Sequence, residues 1–190
     1  MNLGEKILEK LKGAKKIVFL GIGEDKLRDD GVGPFIITQL SENARPNIKS
    51  INARIVPEER MEDILNFSPS HIVLIDTCTL NKPPGTVAIL EKEDILKSVP
   101  ISSHTIPVPI FINILEDKLK DVKIFMIGIV PKNIDLSDPL IPYKDGEISL
   151  DDYDENPELP YFEFQLSKEV QTAAEFVIKI ILNIINTVKI

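Results

Sequence analysis

Residues 16–40 read KIVFLGIGEDKLRDDGVGPFIITQL. The first part, residues 16–21, is a short apolar run rich in β-branched side chains that ends at glycine, which is typical of a buried strand in a parallel sheet. Two aspartates and a glycine, residues 29–31, then precede an apolar segment at 32–40 with proline in its first turn. Aspartate is a favoured N-cap and proline is favoured in a first turn, so these residues predict a helix at 32–40.

Strand-like and helix-like segments continue to alternate after this unit. The further predicted strands cover residues 50–56, 71–76, 86–90 and 123–130. The further predicted helices cover residues 58–66, 91–97, 109–119 and 166–187. This alternation favours an α/β fold, a three-layer sandwich in which a mostly parallel five-stranded sheet carries helices on both faces. Because the strand at 86–90 follows its predecessor after a short Pro-Pro-Gly turn, we expect that strand to be antiparallel.

One segment departs from this alternation. Residues 131–165 are rich in proline, and residues 145–163 carry eight acidic side chains and neither lysine nor arginine. The whole chain, residues 1–190, has the length of one domain, so we interpret 131–165 as an acidic, proline-rich insertion into a single domain. The insertion is either a solvated loop or a lid or docking arm that uses its tyrosine and phenylalanine side chains as anchors.

The composition excludes several classes of partner. Acidic residues outnumber basic ones by 30 to 22, giving a net charge of −8 without a basic cluster, so nucleic acid would be repelled. Polar side chains interrupt the apolar stretch at 173–190 at helical spacing, which favours an amphipathic helix over a membrane span. The N-terminus lacks the apolar core of a signal peptide, and a single cysteine, Cys78, excludes an internal disulfide. We therefore expect a cytoplasmic protein that contacts neither nucleic acid nor membrane.

Three candidate site residues follow strands of the predicted sheet. Asp30 lies in the loop after the first strand, Asp76 ends the third strand, and His104 lies in a loop after the fourth. Ligands of open α/β sheets bind at the carboxyl ends of the strands, so we expect the three to meet at one edge. Carboxylates with an imidazole suit divalent ions such as Ni²⁺, Zn²⁺ or Mn²⁺. Taken singly, they are also explained as an N-cap, a strand-end residue and a loop histidine. The other histidine, His71, opens the third strand and is interpreted as structural.

Two other chemistries are suggested by single features of the sequence. Gly21 and Gly23 lie between a strand and a helix, as in dinucleotide-binding loops, and with Glu58 after the second strand they suggest a nucleotide- or S-adenosylmethionine-dependent transferase. Four carboxylates between residues 24 and 30 would repel a pyrophosphate, which argues against this interpretation. Cys78 suggests a thiol nucleophile, but catalysis there requires a neighbouring base, and a small buried cysteine is the more common role.

Several of these segments resemble the ordered motifs of the hydrogenase maturation endopeptidases. The similar segments are the glycine and Asp-Asp-Gly stretch at 21–33, Ile75-Asp76-Thr77, the Pro-Gly turn and strand at 84–87, Ser103-His104, and the strand at 125–131. The resemblance covers residues 16–132 and the C-terminal helix, and it implies an α/β sandwich. Three features depart from the family pattern. Glu24 stands where many members have asparagine, residues 52–56 lack the Gly-Gly step that is common after the second strand, and the insertion at 131–165 is longer than in a compact member, which suggests a distinct partner surface.

The resemblance also implies a function and a ligand set. Members of this family remove a C-terminal peptide from the large-subunit precursor of a [NiFe] hydrogenase, and nickel already loaded in the precursor is their recognition signal. Carried over to this sequence, Asp30, Asp76 and His104 would bind that nickel, or another divalent metal in its place. Either Asp30 or Asp76 would then act as general base for water. The alternative is a protein that binds the large subunit as a chaperone without cleaving it.

Overall fold

A mixed five-stranded sheet forms the centre of the computed structural model, which describes residues 1–25, 27–43, 45–98, 106–134 and 166–187. The strands are β1 (Ile17–Ile22), β2 (Ile48–Arg54), β3 (His71–Thr77), β4 (Val87–Leu90) and β5 (Lys123–Ile129). Their order across the sheet is β2-β1-β3-β5-β4. Neighbouring strands are parallel except β4, which runs antiparallel to β5. The predicted fold class, including the antiparallel fourth strand, is confirmed.

Helices cover both faces of the sheet. They are α1 (Leu3–Lys10), α2 (Val32–Ser41), α3 (Met61–Phe67), α4 (Lys92–Ser98), α5 (Val108–Lys118) and α6 (Lys168–Thr187). Alternate side chains of β1 serve the two faces. Ile17 and Phe19 pack with α1, α2 and α6, whereas Val18, Leu20 and Ile22 pack with α3, α4 and α5. Every residue of β1 and β3 is buried because both faces are covered, which explains the continuous apolar runs at the centres of these strands.

Most elements lie within one residue of their predicted bounds, α6 begins two residues later than predicted, and β2 and α3 differ further. β2 begins and ends two residues earlier than the predicted 50–56, because the chain turns at its end, where the Val56 N–H donates to the Ala53 carbonyl at 3.2 Å. The predicted helix at 58–66 begins as a 3₁₀ turn, Pro57–Arg60, which leads into α3. Of the predicted insertion at 131–165, residues 135–165 lie outside the described part of the chain.

α1 is absent from the elements predicted from sequence. It begins at a capping box, in which the Asn2 side chain accepts from the Glu5 N–H and the Glu5 side chain accepts from the Asn2 N–H, both at 2.9 Å. Ile7 in the helix and Leu11 at its end are buried. Leu3, Ile7 and Leu11 recur every four residues, so the helical period is present in this short segment, and its capping residues mark where the helix begins.

α6 is a core helix with one apolar face. Its buried side chains recur every three or four residues and pack in the same apolar layer as α1 and α2. By length and composition alone α6 could also cross a membrane, and 39% of its most apolar window is buried inside the protein. The core helix of a soluble domain passes the same test, and the polar side chains on its other face agree with the predicted amphipathic helix.

Glycines allow α2 to begin directly against the sheet. A Cβ on Gly33, in the first turn of α2, would lie 2.3 Å from the Ile22 carbonyl oxygen and 2.5 Å from that of Ile75. A Cβ on Gly21 in β1 would lie 2.5 Å from the Gly33 carbonyl oxygen. No side chain fits where α2 crosses β1 and β3, so the backbones are in direct contact. The preceding 3₁₀ turn, Arg28–Gly31, is thereby held at the carboxyl ends of these strands.

Gly33→Ala is expected to lower the free energy of unfolding by about 2–3 kcal/mol or more, because the added methyl group meets backbone atoms that must move. Gly4→Ala is the matched control, since its Cβ would have an ordinary contact of 3.4 Å in α1. The control should be neutral or stabilising by up to about 1 kcal/mol, because alanine favours helix. Urea unfolding measures both. A Gly33→Ala protein as stable as the parent would contradict the direct backbone contact.

Candidate active site

The loop after β1 folds back onto Asp30. This residue is 7% exposed, and its Oδ2 accepts a hydrogen bond of 2.7 Å from the Glu24 backbone N–H. Gly23 permits the return: its φ is +129°, and a Cβ there would lie 1.9 Å from the Asp30 carbonyl oxygen. The predicted capping role of aspartate is wrong, since α2 has Gly31 as its N-cap and no side chain in the described chain caps it. The Asp30 carboxylate is instead used to close its own loop.

The same hydrogen bond bears on the dinucleotide interpretation. Phosphate-binding loops present backbone N–H groups to the ligand. Here the Glu24 N–H donates to the Asp30 carboxylate, and the space beside Gly23 is filled by the Asp30 backbone. The glycines of this loop therefore serve close packing of the chain against itself.

Thr77 lies between the carboxylates of Asp30 and Asp76. Its hydroxyl oxygen, Oγ1, is 3.4 Å from Oδ1 of Asp30 and 3.4 Å from Oδ1 of Asp76. Oδ1 of Asp76 also accepts a 2.6 Å hydrogen bond from the Thr77 backbone N–H. Asp76 and Thr77 are almost completely buried. The structure thus brings two of the predicted site residues to one hydroxyl group at the carboxyl edge of the sheet, and their chemical roles stay predictions.

Thr77 is a site residue that the sequence does not single out. A threonine in a strand is ordinary, because β-branched side chains favour strands, so its type carries no functional signal. Its position after the strand-end Asp76 is the available clue. One hydroxyl proton can be donated to one carboxylate at a time, so Thr77 can orient either carboxylate while the other remains an acceptor. Two carboxylates that share one hydroxyl repel each other when both are ionised, and a cation bound between them would relieve that repulsion.

Asp29 faces away from this pair. It is fully buried, and its carboxylate accepts three backbone hydrogen bonds: from Lys132 N at 2.8 Å, Asn133 N at 2.9 Å and Ser167 N at 2.6 Å. The two consecutive aspartates therefore have different surroundings. Asp29 joins separate segments of the backbone, whereas Asp30 reaches the hydroxyl of Thr77.

The third predicted ligand, His104, lies outside the described residues. Within the described ranges, His, Cys, Asp and Glu side chains form no group of three or more that could hold a metal ion. The nickel ligand set of Asp30, Asp76 and His104 therefore stays a prediction. His71 lies at the opposite end of β3 from Asp76, where its Nδ1 is 3.0 Å from Oγ of Ser70, so it does not join the site.

Cys78 is a buried side chain of the core. Burial, with a contribution from the nearby negative charge of Asp76, raises the pKa of the thiol to about 12. The thiol therefore stays protonated at neutral pH, whereas the thiolate is the nucleophile in cysteine catalysis. A Cβ on Gly128 would lie 2.7 Å from the sulfur, so Cys78 packs directly on the backbone of β5. These observations favour the structural role.

Comparison with known proteins identifies the family. The family model HycI, hydrogenase maturation protease, matches residues 34–141 of this chain. A Methanocaldococcus jannaschii protein named as a hydrogenase maturation protease is 35% identical to it over 139 residues, which cover 69% of this chain and 81% of the relative. The hydrogenase 3 maturation protease of Escherichia coli K12 is 26% identical over 132 residues, which cover 68% of this chain and 82% of the relative.

Solved structures of the same kind share the fold. The crystal structure of the [NiFe] hydrogenase maturation protease HycI from Thermococcus kodakarensis is similar with a TM-score of 0.73 at 22% identity, covering 96% of this chain and 99% of that one. The chain belongs to the hydrogenase maturation protease family. The predicted family and the predicted class of enzyme are confirmed.

His71 is expected to make stability depend on pH. Its burial, with the positive charge of Lys123 on β5, lowers its pKa below the usual 6.5, so the unfolded chain binds a proton that the folded chain resists. The free energy of unfolding should therefore fall as pH decreases below about 6.5. In His71→Gln this fall should be smaller, which urea unfolding between pH 7.5 and 5.5 measures. An equal fall in both proteins would contradict a neutral, buried His71.

Proposed function

We propose that this protein is an endopeptidase that removes the C-terminal peptide of a nickel-loaded [NiFe] hydrogenase large-subunit precursor. Membership of the hydrogenase maturation protease family supports the reaction class. The observation that carries the proposal to particular residues is the meeting of the Asp30 and Asp76 carboxylates at the Thr77 hydroxyl. The substrate is the partner, and its nickel is the recognition anchor.

The three proposed ligands of the substrate's nickel are Asp30, Asp76 and His104. Two carboxylates and an imidazole form a mixed oxygen and nitrogen donor set, which suits nickel and accepts other divalent ions. Such a set leaves coordination positions for the precursor's own ligands. Binding the metal would hold the precursor beside the site, so that attack on the peptide bond becomes effectively intramolecular. One of the two aspartates would act as general base for the attacking water, an aspartic type of peptidase.

The proposed setting of this reaction is the cytoplasm. The lone cysteine is buried as a protonated thiol, which agrees with a reducing compartment. The acidic net charge of −8 favours a protein substrate over nucleic acid. The buried face of α6 packs in the core, which favours a protein that does not use this helix as a membrane anchor.

The direct test is incubation of the purified protein with nickel-loaded precursor, followed by mass spectrometry of the precursor. Loss of a C-terminal peptide supports the proposal, and metal-free precursor should stay intact. An intact precursor that co-purifies with the protein would favour the non-catalytic chaperone instead. If the precursor is neither cleaved nor bound, both functions are rejected for that precursor.

Asp76→Asn and His104→Ala are each expected to lower the rate of precursor cleavage by about 100-fold or more, because a ligand or general base is lost. Asp63→Asn is the control, since Asp63 lies on α3 with an exposed side chain paired to Lys49 at 3.0 Å. Its rate should equal that of the parent. Cleavage at the parent rate by either site variant would reject the assigned ligand set.

Thr77→Val is expected to lower the cleavage rate by about 10-fold, because the orienting hydroxyl contributes about one hydrogen bond. Valine has nearly the same shape, so the core around residue 77 should be kept. Thr77→Ser retains the hydroxyl and should restore most of the rate. If the valine and serine variants cleave equally fast, the hydroxyl has no part in the reaction. Single-turnover cleavage measures the three proteins under one condition.

A further inference from the structure

Asp29 is a buried carboxylate that joins three segments of the chain. Its Oδ2 accepts from Lys132 N at 2.8 Å and Asn133 N at 2.9 Å, and its Oδ1 accepts from Ser167 N at 2.6 Å. In the other direction, the Asp29 backbone N–H donates to the Asn133 carbonyl at 3.3 Å. Asp29 is fully buried, so water cannot take over these hydrogen bonds when the side chain is removed.

These hydrogen bonds connect the two halves of the candidate site. Lys132 and Asn133 lie three and four residues after the end of β5, and β5 pairs with the end of β3, where Asp76 lies opposite Gly128 and Thr77 opposite Ile129. The Asp29 carboxylate thus ties the turn that carries Asp30 to the strand that pairs with Asp76 and Thr77. The register of the sheet fixes one half of the site, and Asp29 fixes the other half relative to it.

Asp30 is the next residue in this turn, so its position follows that of Asp29. The Asp30 carboxylate is held by the Glu24 N–H at 2.7 Å and lies 3.4 Å from the Thr77 hydroxyl. Consecutive Cα atoms are about 3.8 Å apart, so a shift of the turn by even 1 Å at Asp29 carries over to Asp30. A misplacement of this size at a reacting group costs about 100-fold in rate.

We propose that Asp29 is a positioning residue for the cleavage reaction, and that it acts by holding the Asp30 turn against the segment after β5. This role rests on the proposed function for its effect on cleavage. Its effect on the turn itself does not depend on that function. The three backbone N–H donors around residue 29 require a carboxylate, because both of its oxygens accept. The side-chain amide of asparagine would place an N–H donor against these backbone donors.

The test compares Asp29→Asn with the parent in two measurements. In precursor cleavage, kcat should fall by about 100-fold and KM should rise, because Asp30 is misplaced both as a ligand of the precursor's nickel and beside the peptide bond. In hydrogen exchange, the Glu24 amide, which is bonded to Asp30, should exchange faster, because its acceptor has moved. The Ile17 amide, which donates to Asn47 at the far end of β1, should keep its rate.

Ile17→Val and Ile17→Ala are the controls for lost stability, since Ile17 is fully buried at the end of β1 away from the site. They bracket the destabilisation of Asp29→Asn in urea unfolding, and both should keep the parent kcat. The positioning role is rejected if Asp29→Asn lowers kcat no more than a control of equal stability does. It is also rejected if the exchange rate of the Glu24 amide stays at the parent value.

Ser167→Pro gives a second route if Asp29→Asn does not fold. It removes one of the three N–H donors and leaves the carboxylate in place. A smaller change of the same kind is expected, with faster exchange at Glu24 and a lower kcat. If both the exchange rate at Glu24 and kcat equal those of the parent, the positioning role of Asp29 is rejected. If the parent fails to cleave nickel-loaded precursor, the proposed function fails, and exchange at Glu24 in these variants still decides whether Asp29 positions the turn.

Discussion

The structure depends on the direct contact between the start of α2 and the strands beneath it. Gly33 lies so close to the backbones of β1 and β3 that a single methyl group would overlap their carbonyl oxygens. Gly21 makes the contact equally close from the strand side. With α2 fixed in this way, the 3₁₀ turn before it lies at the carboxyl ends of β1 and β3. Backbone packing thus brings the two aspartates to this edge of the sheet, and the hydrogen bonds of Asp29 hold the turn there.

Two identical residues in that turn then acquire different roles from their surroundings. The Asp29 side chain is fully buried among backbone N–H groups, which satisfy both of its oxygens. Asp30 points to the other side, where its neighbours are the Glu24 N–H and the Thr77 hydroxyl. A carboxylate surrounded by donors is a structural link, whereas one that shares a hydroxyl with a second carboxylate retains acceptor capacity for a ligand. The chemistry of the pair is therefore decided by tertiary contacts.

The alternation of apolar runs predicts the sheet and every helix except α1, because burial on both faces leaves a strong pattern in β1 and β3. The short Pro-Pro-Gly turn predicts the antiparallel β4. A second rule, that the carboxyl ends of parallel strands share one edge of the sheet, predicts that Asp30 and Asp76 come together. The capping role assigned to aspartate was wrong, because both side chains have tertiary partners that local propensity cannot reveal. Thr77 was missed for a similar reason: its hydroxyl contacts the carboxylate of Asp30, which lies 47 positions away in sequence.

The proposed recognition of nickel rests on a proposed donor set, Asp30, Asp76 and His104, that would leave coordination positions open. A site with enough ligands of its own would bind any suitable ion, with or without a precursor. Two carboxylates and one imidazole bind best when a second molecule supplies the remaining ligands, so occupancy of the site depends on the metal and the substrate together. Under the proposed function, a precursor without nickel lacks the bridge, and a free ion lacks the extra ligands. Selectivity for the loaded precursor would then be a property of coordination number, and the buried Asp30 and Asp76 carboxylates, which both contact the Thr77 hydroxyl, would lose less entropy on binding it than exposed side chains.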